Sequence, residues 1–347
     1  MSAVNRRFAI TGIGLISPLG NNVDALRANL GQATDGRCDF NGHIDDFGDT
    51  PKNTKRVIRK SLKLMNRETQ LGVAAAQRAF NDSGLANAGY PAESIGVLFG
   101  AGDVAIQPAD FADGVQACLD DVGELDLSKW GQLGIAQIDP LWILRVLPNM
   151  PACHIAIAND LQGINNTITQ STVAANMALS EAIGAITDGD ADVVVVGGTG
   201  NCFHDFLNSA STANQPAEAA GAFVVERMDL AIDREARIYA DVLATAEATS
   251  IRHDYVAEPK TAIRFASETA LQKLRWDALN APPQAQRYHT AEMIGDAGAG
   301  TSALDLILCL DDIYSGRQQC VQQTSVSATG LASCVIVGQH ELRRSAA

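Results

Sequence analysis

Residues 159–199, NDLQGINNTITQSTVAANMALSEAIGAITDGDADVVVVGGT, decide how this chain is read. They predict strand, sharp turn, helix, strand. Residues 164–169 are a short β-favouring run, and Ser171 and Thr172 supply N-cap chemistry at the turn that follows. Residues 173–187 are apolar and small nearly all round, the pattern of a helix buried inside a domain. Gly189 ends that helix, and the four valines 193–196 form the uninterrupted β-branched run of a mid-sheet strand. A buried helix whose N-terminus opens beside a strand end is a natural place for a nucleophile or for anion stabilisation.

Outward from this stretch, residues 7–20 (RFAITGIGLISPLG) read as a strand and a Gly/Pro turn, and residues 22–30 carry Val23, Leu26 and Leu30 at helical spacing. The G-x-G at Gly12 and Gly14 lacks the third glycine and the later acidic residue of a dinucleotide site, so phosphate binding is set aside. Residues 61–84 predict one long amphipathic helix closed by Asp82-Ser83-Gly84, and residues 94–102 the next strand and turn. Residues 103–138 are the least regular part, with acidic Asp120, Asp121 and Glu124, and read as an insert capping the sheet.

Residues 159–199 resemble the nucleophile region of the β-ketoacyl synthases, members of the thiolase-fold condensing enzymes. In that family a strand leads to a cysteine at the N-terminus of a buried helix, and a GDAD-hydrophobic-GG strand follows, as residues 189–198 do here. Matching helix and strand places Thr172 where the family's cysteine belongs. The opening strand, the DSGL helix end at residues 82–85 and residues 147–157 (LPNMPACHIAI, against the family's NMxAGHLxI) fit the same resemblance in order and spacing. It implies an α/β chain with the five-layer αβαβα thiolase fold, built of two related βαβαβ-type halves at residues 1–232 and 233–347. The helix at residues 173–187 is then expected between two mixed sheets. It also implies a dimer, formed where residues 164–169 pair with their twin across a two-fold axis.

The second half is shortened and departs from the family. Residues 279–286 (LNAPPQAQ) stand where the family has its HGTGT strand end, with no strand and no histidine. In residues 287–300 (RYHTAEMIGDAGAG), aligning the glycine turn places Arg287 at the family's lysine and Glu292 at its second histidine. His289 is nearby but reads as an exposed loop residue. Where the family has its glycine gate, this chain has Val326, Ala328 and Gly330. Ser171, Thr172, Val326 and Ala328 are therefore the candidate pocket residues. Cys153 and His154 are adjacent, but neighbours on a helix point about 100° apart, so they read as packing rather than a nucleophile and base.

The family lowers a thiol pKa from about 8.5 with the helix dipole and uses two histidines to decarboxylate a malonyl carrier. A threonine hydroxyl ionises far higher, and a helix terminus worth about 0.3–2 kcal/mol shifts a pKa by only about one unit. Thr172 is accordingly read as an N-cap, with no catalytic residue assigned. The function implied is a β-ketoacyl synthase-like protein of fatty acid or polyketide-type biosynthesis, inactive by itself and partnering an active ketosynthase as chain-length factors do. Gln170 lies two residues from where those factors often carry a glutamine. The alternatives are a divergent acyltransferase using Thr172, Ser171 or Glu292, and an acyl-binding scaffold dimer.

Composition agrees with a large α/β core, the 347 residues being 46% hydrophobic and 5% aromatic. No 18-residue apolar run and no signal-peptide pattern are present, so a cytoplasmic location is expected. Seven cysteines scattered singly predict reduced, mostly buried thiols, and no cofactor or metal is expected. A net charge of −14 disfavours nucleic acid and anionic membranes. The expected partners are a second copy or an intact ketosynthase, and an acyl carrier protein through that partner. Carrier proteins are acidic, and Arg56, Lys60, Lys63 and Arg67 form the densest basic run, which is otherwise a solvated helix face.

Overall fold

The computed structural model describes residues 7–102, 108–203, 215–251, 257–273, 284–285 and 288–340. Arg287 and most of residues 279–286 lie outside the described residues. In chain order the elements are β1 (Phe8–Ile16), α1 (Val23–Ala28), α2 (Lys52–Ser61), α3 (Arg67–Asp82), β2 (Ile95–Gly100), α4 (Ala112–Ala117), α5 (Trp142–Val146), α6 (Met150–Asn159) and β3 (Asn165–Ile168). There follow α7 (Ala174–Asp188), β4 (Val193–Asn201), β5 (Glu218–Arg227), α8 (Met228–Asp233), β6 (Ala240–Thr249) and α9 (Pro259–Lys273). The chain closes with β7 (Gln284–Ala285), α10 (Thr290–Ile294), α11 (Ala299–Tyr314), β8 (Cys320–Val326) and β9 (Leu331–Gly338).

The valine run of β4 shows why the layers form. Val194 and Val196 join a central core with α7 and α11, while Val193 and Val195 join a second core with α3 and α6. A strand apolar on both faces needs cover on both. Across the central layer, Val242, Val335 and Val337 of β6 and β9 close the other side, and α9 covers their outer face through Ala262, Ala266 and Ala270. The sequence of layers is helix, sheet, helix, sheet, helix: the thiolase-like αβαβα fold.

The strands run in the order β3-β2-β4-β5-β1-β6-β9-β8-β7. The two sheet layers are thus hydrogen-bonded into one, joined where Phe8–Ile10 of β1 faces Ala240–Val242 of β6. The halves also share a pattern. β2 and β4 are parallel, then β4–β5 and β5–β1 are antiparallel; β7 and β8 are parallel, then β8–β9 and β9–β6 are antiparallel. Among the described residues the second half has no counterpart of β3, and its β7 is two residues long where β2 has six. The sequence reading left no strand at residues 279–286. The two-residue β7 corrects it, its register supplied by β8 rather than by any β-favouring run of its own.

Three further expectations change. The long helix predicted over residues 61–84 is broken: α2 ends at Ser61, a 3₁₀ turn follows, and Asn66 starts α3 afresh by accepting the Thr69 N–H at 2.8 Å. The helix buried all round is α11, in which only Tyr314 is exposed, and not α7, which leaves Glu181, Gly184, Thr187 and Asp188 open. Small residues on α7 signal close packing on one side without dictating cover on the other. Among its described residues, 108–138, the irregular segment does not cap the sheet: its short helices pack chiefly on one another, and α5, just after it, meets the body at α6.

What sets the layer spacing is the approach of α11 to β4. A Cβ on Gly198 would lie 2.4 Å from the Ala299 carbonyl oxygen, and one on Gly200 2.1 Å from that of Ala297. Gly198→Ala is expected to lower unfolding free energy by about 3 kcal/mol in urea denaturation, because the clash is with backbone and only a shift of the buried helix relieves it. A loss below about 0.5 kcal/mol would show that the layers have slack.

Candidate functional site

The chain leaves β3 at Ile168 and enters α7 six residues later through a 3₁₀ turn, residues 171–173. Ser171 makes the corner at φ 50°, a left-handed conformation that costs a non-glycine residue about 1–2 kcal/mol. Its side chain is exposed, and that of Thr172 is half-buried. The Thr172 hydroxyl donates to the Val326 carbonyl oxygen at 2.8 Å, tying the turn to the end of β8. This corrects the N-cap reading. The cap residue of α7 is Val173, without a side-chain hydrogen bond, and Thr172 is a cross-link between the two halves. A carbonyl oxygen accepts that hydrogen bond but cannot take the proton, so it does not activate the hydroxyl.

Four residues beyond Thr172, in the first turn of α7, Asn176 is fully buried. Its Nδ2 donates to Gln323 Oε1 at 2.6 Å and to Ser333 Oγ at 2.9 Å, and Gln323 Nε2 donates to Ser325 Oγ at 2.8 Å. A connected polar network therefore clamps α7 onto β8 and β9 directly beneath the turn. The sequence reading missed these residues. Asn176 stands out as a polar residue inside the apolar run AANMAL, whereas Gln323 sits in the largely polar CVQQTSV and gives no signal; a buried network is marked only once the partners are known to face each other.

Of the other candidates, Val326 is half-buried and supplies the carbonyl just described, whereas Ala328 is exposed in the β8–β9 turn. Glu292 is exposed on α10 and His289 is exposed just before it, as expected for His289. Beneath them lies Asp305 of α11, 5% exposed, whose Oδ1 accepts the Thr290 N–H at the start of α10 at 2.8 Å. Burial pushes the Asp305 carboxyl up to about 6, against the lowering effect of its hydrogen bonds from Thr290. Burial raises the pKa of the Cys38, Cys153, Cys309, Cys320 and Cys334 thiols, the last two to about 12. None of the seven cysteines is in a disulfide. His154 is buried, its pKa held below the ordinary value by burial, a packed histidine as the sequence indicated. Among the described residues no group of three or more His, Cys, Asp or Glu is placed to hold a metal ion, and no helix is long and apolar enough to cross a membrane.

The layered fold and the strained strand-to-helix turn define a thiolase-fold condensing-enzyme scaffold. Residues 5–213 match the family described as "Beta-ketoacyl synthase, N-terminal domain", and the chain belongs to that family. It is 25% identical to a putative mitochondrial 3-oxoacyl-[acyl-carrier-protein] synthase of Schizosaccharomyces pombe, over 88% of this chain and 78% of that protein. It is also 25% identical to 3-oxoacyl-[acyl-carrier-protein] synthase 2 of Synechocystis, over 72% of this chain but 64% of the relative, and 27% identical to that of Vibrio harveyi, over 69% and 62%. Among solved structures, the fold is like that of the ishigamide ketosynthase/chain length factor, with a TM-score of 0.72 at 19% identity over 96% of this chain and 99% of that one. A type II polyketide ketosynthase in complex with its acyl-carrier protein gives 0.70 at 16% identity, with the same coverage.

Two outcomes test this account of the site. Asn176→Ala strands Gln323 and Ser333 in the core and is expected to cost about 2–3 kcal/mol in urea denaturation. The second concerns Asp305, whose pKa is raised on folding. Its contribution to stability is complete below the unfolded value of about 3.9 and is lost as pH rises through about 6, a swing of about 3 kcal/mol by pH 8. Asp305→Asn keeps the acceptor for Thr290 and removes the titration. Its stability relative to wild type should rise by that amount between pH 4 and pH 8, and a pH-independent difference would refute the assignment.

Proposed function

We propose that this chain is a chain-length-factor-like subunit of fatty acid or polyketide-type biosynthesis, without condensing activity of its own, that works with an active ketosynthase. The observation that carries the reading is the Thr172 hydroxyl bound to a carbonyl oxygen, above a buried polar network, at the place where the resemblance expects a thiolate. Thr172 at the nucleophile position, Arg287 at the lysine position and Glu292 at the second histidine position are proposals of the same alignment, as is the boundary at residues 232–233, which falls inside α8. A cytoplasmic location is likewise proposed.

Two surfaces support a role in assembly. Among the described residues the edge strand β3 pairs only with β2, and Asn165 and Asn166 on it are exposed and uncharged, without the charges or prolines that guard an edge against pairing. Self-pairing or pairing with a ketosynthase across this edge is the proposed dimer contact. On α2 and the turn after it, Lys52, Arg56, Arg59, Lys60 and Lys63 are exposed while Thr54 and Ile58 face the core. In a chain of net charge −14 this is a concentrated basic face, suited to an acidic carrier protein.

The deciding measurement is intact-mass spectrometry after incubation with acyl and malonyl carrier protein. The isolated chain is expected to gain no acyl adduct and to release no carbon dioxide from the malonyl carrier. An adduct on Thr172 or Ser171, abolished in Thr172→Ala or Ser171→Ala, would establish a divergent acyltransferase instead.

A further inference from the structure

Among the described residues, thirteen large hydrophobic side chains are exposed, and eight of them lie within residues 108–147. Val122 is 82% exposed, Leu127 71% and Ile135 57%. Of the forty residues in this segment only Gly114, Cys118 and Gly134 are buried. The segment nevertheless has a definite shape. Phe111 packs edge-on against Trp142 at 4.9 Å and stacks with Trp130 at 6.4 Å, and α4 lies against the turns at residues 130–137. It is an ordered arm with its apolar side chains outward, and apolar surface on this scale marks a contact site.

Charge says what the arm contacts. The segment holds seven acidic residues and two basic ones, and both cations are used internally: Lys129 pairs with Asp126 at 3.7 Å, and Arg145 with Asp139 at 2.6 Å and Asp110 at 3.9 Å. Asp113, Asp120, Asp121 and Glu124 are left exposed with no ion-pair partner among the described residues. An arm of one copy laid on the arm of another would set these charges against their own kind. The same sign opposes an anionic membrane and an acidic carrier protein. The basic face of α2 on a second copy offers the right charge but little apolar surface, with Ile58 buried and Val57 and the neighbouring Ile157 reaching solvent, against eight exposed large hydrophobic side chains on the arm.

Resting on the reading of this chain as a ketosynthase partner, we propose that residues 108–147 form the docking arm for the heterologous subunit. That subunit presents an apolar surface rimmed by Lys and Arg. The arm makes the pairing heteromeric: β3 provides an edge that either kind of subunit can pair with, and the acidic apolar arm selects a partner of opposite charge.

The test uses the full chain and, one at a time, each purified ketosynthase of the source genome that retains the Cys-His-His set, with binding followed by calorimetry and size-exclusion light scattering. Two variants are compared with wild type: Val122→Ser/Leu127→Ser/Ile135→Ser, and Asp113→Lys/Asp121→Lys/Glu124→Lys, with Asp120 kept because its carboxylate accepts the Val122 and Glu124 N–H groups that shape the turn. All six positions are exposed, so circular dichroism should show an unchanged fold. One ketosynthase is expected to bind wild type, at least tenfold more weakly at 500 mM than at 50 mM salt, and both variants are expected to lose at least tenfold in affinity. A ketosynthase that binds wild type and both variants equally overturns the arm and leaves the partner reading standing. If no ketosynthase binds, both fall. A wild-type homo-oligomer that the serine variant dissolves shows that a second copy covers the arm, and that too overturns the proposal.

Discussion

The structure depends on how closely the helix α11 approaches the strand β4. Carbonyl oxygens at the start of α11 sit where side chains on Gly198 and Gly200 would be, and in return Gly300 of α11 would place a Cβ 2.3 Å from the Ala219 carbonyl oxygen on β5. Backbone against backbone at this distance leaves no room for adjustment, and protein interiors transmit such constraints because they are close-packed. With α11 fixed against one sheet layer, β6, β8 and β9 must close over its other side. α7, lying beside it, is then held to β2 and β4 on one side and to the second sheet layer on the other.

This framework explains why the strand-to-helix turn keeps its strained form. Ser171 is held left-handed by β3 on one side and by the Thr172 link to β8 on the other. A strained residue persists where its surroundings over-determine it. Beneath the turn, Asn176 donates to both Gln323 and Ser333 in the core. The Asn176 Oδ1 remains without a hydrogen-bond partner, so the network adds more to the alignment of α7 on β8 and β9 than to stability.

Charge is unevenly distributed over the outer surfaces. The basic face of α2 and the acidic arm at residues 108–147 are local departures of opposite sign in an acidic chain, while the β3 edge is uncharged. Surface charges set association rates and exclude wrong partners more than they set affinity, and apolar side chains supply the latter. The arm combines both on one segment; α2 and β3 each offer only one component of a contact.

The sequence by itself determined the strands β1, β2 and β4 and the helices α1 and α7 of the first half and their order, because periodicity and turn chemistry are local; the break between α2 and α3 and the short helices of residues 108–147 it did not. Asn22, Gly84 and Gly189 end or begin helices where their own conformational preferences put them. The valine run of β4 announced a strand covered on both faces. The resemblance likewise placed Thr172 at the turn. What only the tertiary structure decided is what each residue meets. β7 exists because β8 lends it hydrogen bonds, α7 keeps an open face because none of the described residues covers it, and the Thr172 hydroxyl turns to Val326, 154 residues away, rather than to its own helix. A hydroxyl, a short strand and a half-covered helix carry no local mark of their partners. Those contacts are set by chain segments far apart in sequence, which meet only when the two halves close on α7 and α11.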